Sequence, residues 1–199
     1  EIEYQNPEEF FSRTYLTDGM TRLLKSTIER ICGGGGEPVV QLKTAFGGGK
    51  THTMLALYHL IKSQCPSKLE GMGKILSSAQ VSRLPETKIA VIVGTALDPA
   101  RPRKHKGLKG KSINTLWGEI AYQIGGTDGY KIVQSSDEAG VSPGSDTIVE
   151  LLEQFSPCVI LVDELVAYAR NIYSVNNLPA GTFDSNMTFI QALTEAVKR

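Results

Sequence analysis

No stretch of this 199-residue chain is apolar for long enough to span a membrane, and its N-terminus lacks a signal-peptide pattern. Those absences exclude a membrane protein and make the cytoplasm the expected location. Net charge is also missing. The 21 basic and 21 acidic residues cancel, so overall charge calls for neither a nucleic-acid nor a membrane partner. Cysteine is scarce. Cys32, Cys65 and Cys158 are odd in number and far apart, and no Cys-x-x-Cys occurs. That argues against a disulfide framework or zinc site and fits free, mostly buried thiols in a reducing cytosol.

What is present starts with residues 38–53, around which the rest is organised. An apolar, β-rich run (Val39, Val40, Leu42) enters a glycine cluster that ends in Lys50-Thr51, and a helical pattern follows. Strand, glycine loop and helix, in that order, make a phosphate-binding loop. Gly47, Gly48 and Gly49 let the backbone turn tightly and aim several N–H groups at one anion. The helix adds its dipole and unpaired donors, so the loop amides from Ala45 and Phe46 through His52 become candidate nucleotide contacts. Lys50 supplies a charge for the β- and γ-phosphates, and Thr51 a hydroxyl for Mg²⁺. Thr44 stands where the usual pattern has glycine.

The second half of the site is expected at Pro157–Glu164, a short apolar strand ending in Asp163 and Glu164. A carboxylate at a strand tip is costly unless paired or metal-bound. Asp163 is therefore expected to hold Mg²⁺, directly or through water, opposite Thr51, and Glu164 is then placed to orient and deprotonate the attacking water. Paired acids favour hydrolysis over transfer, because a kinase needs no water-activating glutamate beside its metal ligand. Two rivals stay open: a nucleotide-gated binding module with little turnover, and a small-molecule kinase.

Around these motifs the periodicity is legible. Residues 1–14 read as an arm. A helix over about 18–31, capped by Thr17 or Asp18, precedes Gly33–Gly36, and Tyr15 or Leu16 either covers an adenine or packs. The first core strand is expected over 38–43 and the loop's helix over 50–63. His52 and His59 lie on one face of that helix and read as packing or surface residues rather than metal ligands. A short helix is expected near 74–82. Residues 88–97 read as a buried parallel strand, with Thr95 and Asp98 bordering a ligand at its carboxyl end.

Residues 101–111 carry six cations and no acid. They read as a solvated loop, with nucleic acid or a neighbouring subunit's nucleotide phosphate as the functional alternatives. Ser112 or Asn114 starts a helix ended by Gly125-Gly126, and residues 127–145 read as irregular. Ser145 or Asp146 caps the next helix, and Asp184 or Ser185 the last. Ile132 to Ala169 holds seven acids and no Lys or Arg. Its acidic face is a candidate partner for the basic loop.

Several stretches resemble one family: Phe-Gly-Gly-Gly-Lys-Thr-His-Thr at 46–53, Leu-Trp-Gly-Glu-Ile-Ala-Tyr-Gln at 116–123 and Val-Asp-Glu-Leu-Val-Ala-Tyr-Ala-Arg at 162–170. Ala-Gly-Thr-Phe-Asp at 180–184 and Gln-Ala-Leu-Thr-Glu-Ala at 191–196 belong with them. The chain resembles the prokaryotic AAA+-type ATPases grouped as domain of unknown function 499. The resemblance implies an ATP-binding module of a large protein, of a kind often encoded beside DNA methylases and helicase-like proteins in defence loci. Lys50, Thr51, Asp163 and Glu164 match the family's phosphate, Mg²⁺ and acid-pair positions, and Thr44 is compatible with it. AAA+ kinship also implies homo-oligomers.

The expected fold is a three-layer α/β/α P-loop domain with a mostly parallel sheet. Residues 1–36 form an arm and leading helix, and 37–199 an ATPase core cut short before its sensor strand and lid. The expected function is Mg²⁺-dependent ATP hydrolysis coupled to conformational work, with DNA as an associated target.

Overall fold

Residues 4–43 and 49–198 are described by the computed structural model, in two units, Glu1–Thr87 and Lys88–Arg199. The division falls after Thr87, whereas the sequence suggested a boundary after residue 36. Each unit is built from its own local signals.

In the first unit, Asn6 accepts hydrogen bonds from the Glu8 and Glu9 amides and starts helix α1 (Pro7–Ser12). The expected arm is therefore partly helical, and its reason is burial: Phe10 and Phe11 are almost wholly covered. Thr17 caps α2 (Asp18–Ile31), whose Met20, Leu24, Ile28 and Ile31 form the buried stripe. Helix α3 (Lys50–Lys62) starts from Gly49, which holds φ 74° in the left-handed region. The rings of His52 and His59 lie 4.5 and 5.0 Å from Phe10, so both pack against α1. His59 also meets the Tyr4 carbonyl at 2.9 Å, and His52 the Thr14 hydroxyl at 3.0 Å. Helix α4 (Met72–Ser78) closes the unit against α2.

The strand expected over 38–43 is not formed. Val39 and Val40 are 39% and 49% exposed, and no described residue pairs with this segment. Gly36 folds back onto α2 where a Cβ would strike the Ser26 carbonyl, and the Glu37 amide donates to Ser26 Oγ at 3.0 Å. The segment is anchored at its start, and no strand pairing to it occurs among the described residues. Unpaired backbone groups then stay in water.

The second unit holds a parallel pair. Strand β1 (Lys88–Val93) lies beside β4 (Cys158–Asp163), from Lys88 opposite Cys158 to Val93 opposite Asp163. The architecture is thus mixed α/β with a small parallel sheet rather than a closed barrel. The apolar run ends at Val93, and a 3₁₀ turn, Gly94–Ala96, replaces the rest of the expected strand. The basic stretch is not an irregular loop. Strand β2 (Arg103–Lys104) pairs antiparallel with β3 (Ser112–Ile113).

Helix α5 (Leu116–Ala139) is capped by Thr115 and continues past the glycines expected to end it. Gly126 takes φ 59°, ψ −142° and kinks the helix, which resumes to Ala139. Gly125 and Gly129 serve packing: a side chain on Gly125 would strike the Phe155 ring, and one on Gly129 the Ala121 carbonyl. A buried carboxylate locks the two halves together. Asp137 is fully buried and accepts from the Thr115 hydroxyl at 2.5 Å, the Thr115 amide at 2.9 Å and the Tyr130 hydroxyl at 3.0 Å. Gly118 leaves the space that this carboxylate fills. Burial and Asp137 together hold the Tyr130 hydroxyl well above its usual pKa.

Helices α6 (Ser145–Gln154), α7 (Leu165–Ile172) and α8 (Phe183–Ala196) complete the core with Leu151, Ile172 and Phe189. Their N-caps are Gly144, Glu164 and Thr182, so Ser145, Asp146, Asp184 and Ser185 lie inside helices instead. Trp117 Nε1 is buried without a hydrogen-bond partner among the described residues.

Candidate functional site

The predicted residues fall into two groups. Gly49, Lys50, Thr51 and His52 belong to the first unit, and Asp163 and Glu164 to the second. Thr44, Ala45, Phe46, Gly47 and Gly48 lie outside the described residues. Lys50 opens α3 and is half-buried, Thr51 is exposed, and His52 is tied to Thr14 and Phe10. Thr53 returns its hydroxyl to the Gly49 carbonyl at 2.9 Å, holding the first turn on the glycine that precedes it.

In the second unit, β4 delivers Asp163 to the carboxyl end of the sheet, opposite Val93. Its Oδ1 accepts from the Glu164 amide at 2.9 Å. Glu164 is exposed and takes φ 53°, ψ 33°, a left-handed conformation uncommon outside glycine. Such a conformation persists only where the surrounding structure over-determines it. The neighbouring turn permits it: a side chain on Gly94 would strike the Glu164 carbonyl. Gly94 thus lets the tips of β1 and β4 approach. The Glu164 carbonyl then starts α7 by accepting from the Ala167 amide at 3.0 Å.

Sequence reasoning missed a second polar cluster at the same sheet end. Glu119 is 3% exposed. Its carboxylate meets His105 Nε2 at 3.0 Å, Gln123 Nε2 at 2.8 Å and an Arg103 guanidinium nitrogen at 3.5 Å. Arg103 also donates to the Ala96 carbonyl at 2.8 Å. Gln123 bonds both backbone groups of Val91, accepting at 2.7 Å and donating at 3.1 Å, and so covers that edge of β1. An acid among the apolar residues at the start of α5, with Gln123 one turn further on the same face, was the available signal. Asp98 and Arg101, both exposed, line a small open cleft beside Glu119, while Thr95 lies exposed in the 3₁₀ turn.

Other assignments resolve simply. Cys32, Cys65 and Cys158 are free, but Cys32 and Cys65 are exposed rather than buried. Burial pushes the Cys158 thiol up to about 11. Burial also pushes Tyr168 up to about 12, against the lowering effect of Arg103. Tyr15 is 85% exposed. Of the acidic stretch, Glu138 alone is seen to reach the basic segment among the described residues, at 3.8 Å from Lys111. Exposed on both sides, that pair contributes about 0–1 kcal/mol. No helix among the described residues is long and apolar enough to cross a membrane. No cluster of three or more His, Cys, Asp or Glu able to hold a metal occurs among them either.

Fold and site define a mixed α/β protein whose parallel strands end at adjoining acids, with a Lys-Thr helix start elsewhere in the chain. Over residues 1–199 the sequence matches the DUF499 N-terminal domain, and the chain belongs to that family. Comparison with curated proteins and with solved structures gives no match.

Proposed function

We propose that this chain is an ATP-binding P-loop domain of the AAA+ type, with a three-layer α/β/α core, that hydrolyses ATP in its full-length protein. The observation that carries the reading is Gly49 in the left-handed conformation immediately ahead of Lys50 and Thr51 at a helix start. A helix that begins this way leaves its first amides free of a side-chain cap and beside a cation. The strained Asp163-Glu164 turn supports the second half of the reading.

Lys50 and the loop amides, from Ala45 to His52, bind the phosphates and stabilise charge as the γ-phosphoryl group leaves. Glu164, exposed at its turn, orients the attacking water and takes its proton. Thr51 and Asp163 offer hydroxyl and carboxylate oxygens, the hard donors that suit Mg²⁺. When bound, Mg²⁺ would neutralise phosphate charge. Conformational work in a cytoplasmic homo-oligomer is the corresponding role.

Binding of a fluorescent ATP analogue tests the reading. Lys50→Ala should abolish binding. Glu164→Gln in the full-length protein should keep binding and cut turnover at least about 100-fold, the scale of general-base catalysis. Tight ATP binding by Lys50→Ala would overturn it.

A further inference from the structure

The basic segment has an inner and an outer face. Arg103 and His105 turn inward and hold the buried Glu119, which fixes the β2–β3 hairpin to α5. Arg103 also reaches the Ala96 carbonyl, so the hairpin is braced at the carboxyl end of β1. The His105 ring lies 4.3 Å from that of Tyr122, which adds an apolar support. Arg101, Lys104, Lys106 and Lys109 are all exposed, and none makes an ion pair among the described residues. Lys111 is discounted because it pairs with Glu138 at 3.8 Å, whereas Arg101 shares a cleft with Asp98 but makes no ion pair with it among the described residues. Four cations are therefore held outward on a braced support in a chain of zero formal charge.

A neutral protein that concentrates unneutralised cations on an anchored hairpin, with no acid between residues 99 and 118, is suited to a polyanion. We infer that this hairpin is a docking surface for the phosphate backbone of duplex nucleic acid. Duplex is favoured over single strands because stacking platforms need exposed aromatics. The segment has none of its own, and the adjacent Tyr122 is packed on His105. Contacts to phosphate alone carry no base specificity, so the surface binds duplexes irrespective of sequence. The inference stands apart from the nucleotide reading, since none of Arg101, Lys104, Lys106 and Lys109 is among the residues assigned to the nucleotide.

The test measures anisotropy of a labelled DNA duplex of about 20 base pairs between about 50 and 200 mM salt, without nucleotide. Four phosphate contacts give a log–log salt slope of about −3.6, an affinity loss of about 150-fold across that range. Arg101→Gln/Lys104→Gln/Lys106→Gln/Lys109→Gln should bind at least about tenfold more weakly at low salt and lose most of that slope. Lys62→Gln/Lys68→Gln/Lys74→Gln/Lys131→Gln, which removes as much charge elsewhere, should bind like the parent. So should Lys50→Ala, whatever its effect on ATP. If the hairpin variant does not melt like the parent, Lys104→Gln/Lys106→Gln carries the test, with a slope change of about 1.8. Unchanged affinity and slope in the hairpin variant would overturn the inference. So would equal loss in the control variant, or equal affinity for polyglutamate.

Discussion

Two apolar runs, 38–43 and 158–163, promise the same structure and meet different ends. Cys158–Asp163 pairs along its whole length with Lys88–Val93, and its Cys158, Ile160 and Val162 pack against the hydrophobic core. Val39 and Val40 stay exposed, and no described residue pairs with them. Their β propensity is comparable, so propensity does not separate them. What separates them is a partner: a strand exists only where another edge takes its amides and carbonyls and side chains find a face to cover.

The largest effects should appear where that partnership is deepest. Leu161 is 7% exposed, and Leu161→Ala should cost about 3 kcal/mol in urea unfolding. Val40→Ala at a site 49% exposed should change stability by no more than about 0.5 kcal/mol. Equal costs would mean that 38–43 is buried in solution and erase the contrast.

The strand tips sharpen it next. Gly94→Ala forces a methyl group into the Glu164 carbonyl, and should destabilise by about 1–3 kcal/mol. Gly73→Ala, in α4 with open space around it and ordinary helical φ, should stabilise by up to about 1 kcal/mol. Thermal melts of the two variants should move in opposite directions.

A smaller effect comes with pH. Tyr168 and Cys158 have pKa values raised by burial to about 12 and about 11. A raised folded pKa contributes stability that is present below the unfolded value and lost as pH rises through the folded one. Stability should therefore decline from about pH 9 and lose these contributions by about pH 12. Tyr168→Phe should flatten the upper part of that decline. Rates of thiol labelling give the mildest readout. Cys65 should react first, Cys32 more slowly because burial raises its pKa, and Cys158 last.

Much of the fold was legible because short-range signals agree with it. The Thr17 cap and the stripe of Met20, Leu24 and Ile28 mark α2 to the residue, and the run ending in Asp163-Glu164 marks β4. Glycine was the ambiguous letter. Gly125-Gly126 reads as a stop, yet Gly126 only kinks the helix and Gly125 admits Phe155, because a missing side chain looks the same whether it frees the backbone or admits a neighbour. The Glu119 cluster was illegible because its members are far apart in sequence and only tertiary contact pairs them.

By itself the sequence determined α2 and the start of α5, the paired acids, the Lys-Thr helix start and the family, since these follow from spacing, capping and motif. Tertiary structure alone decided which apolar runs became strands, that the basic segment has an inner and an outer face, and that Gly94 admits the turn at Glu164. Those outcomes depend on which surfaces meet, and a backbone group or buried charge is settled only by the partner that reaches it.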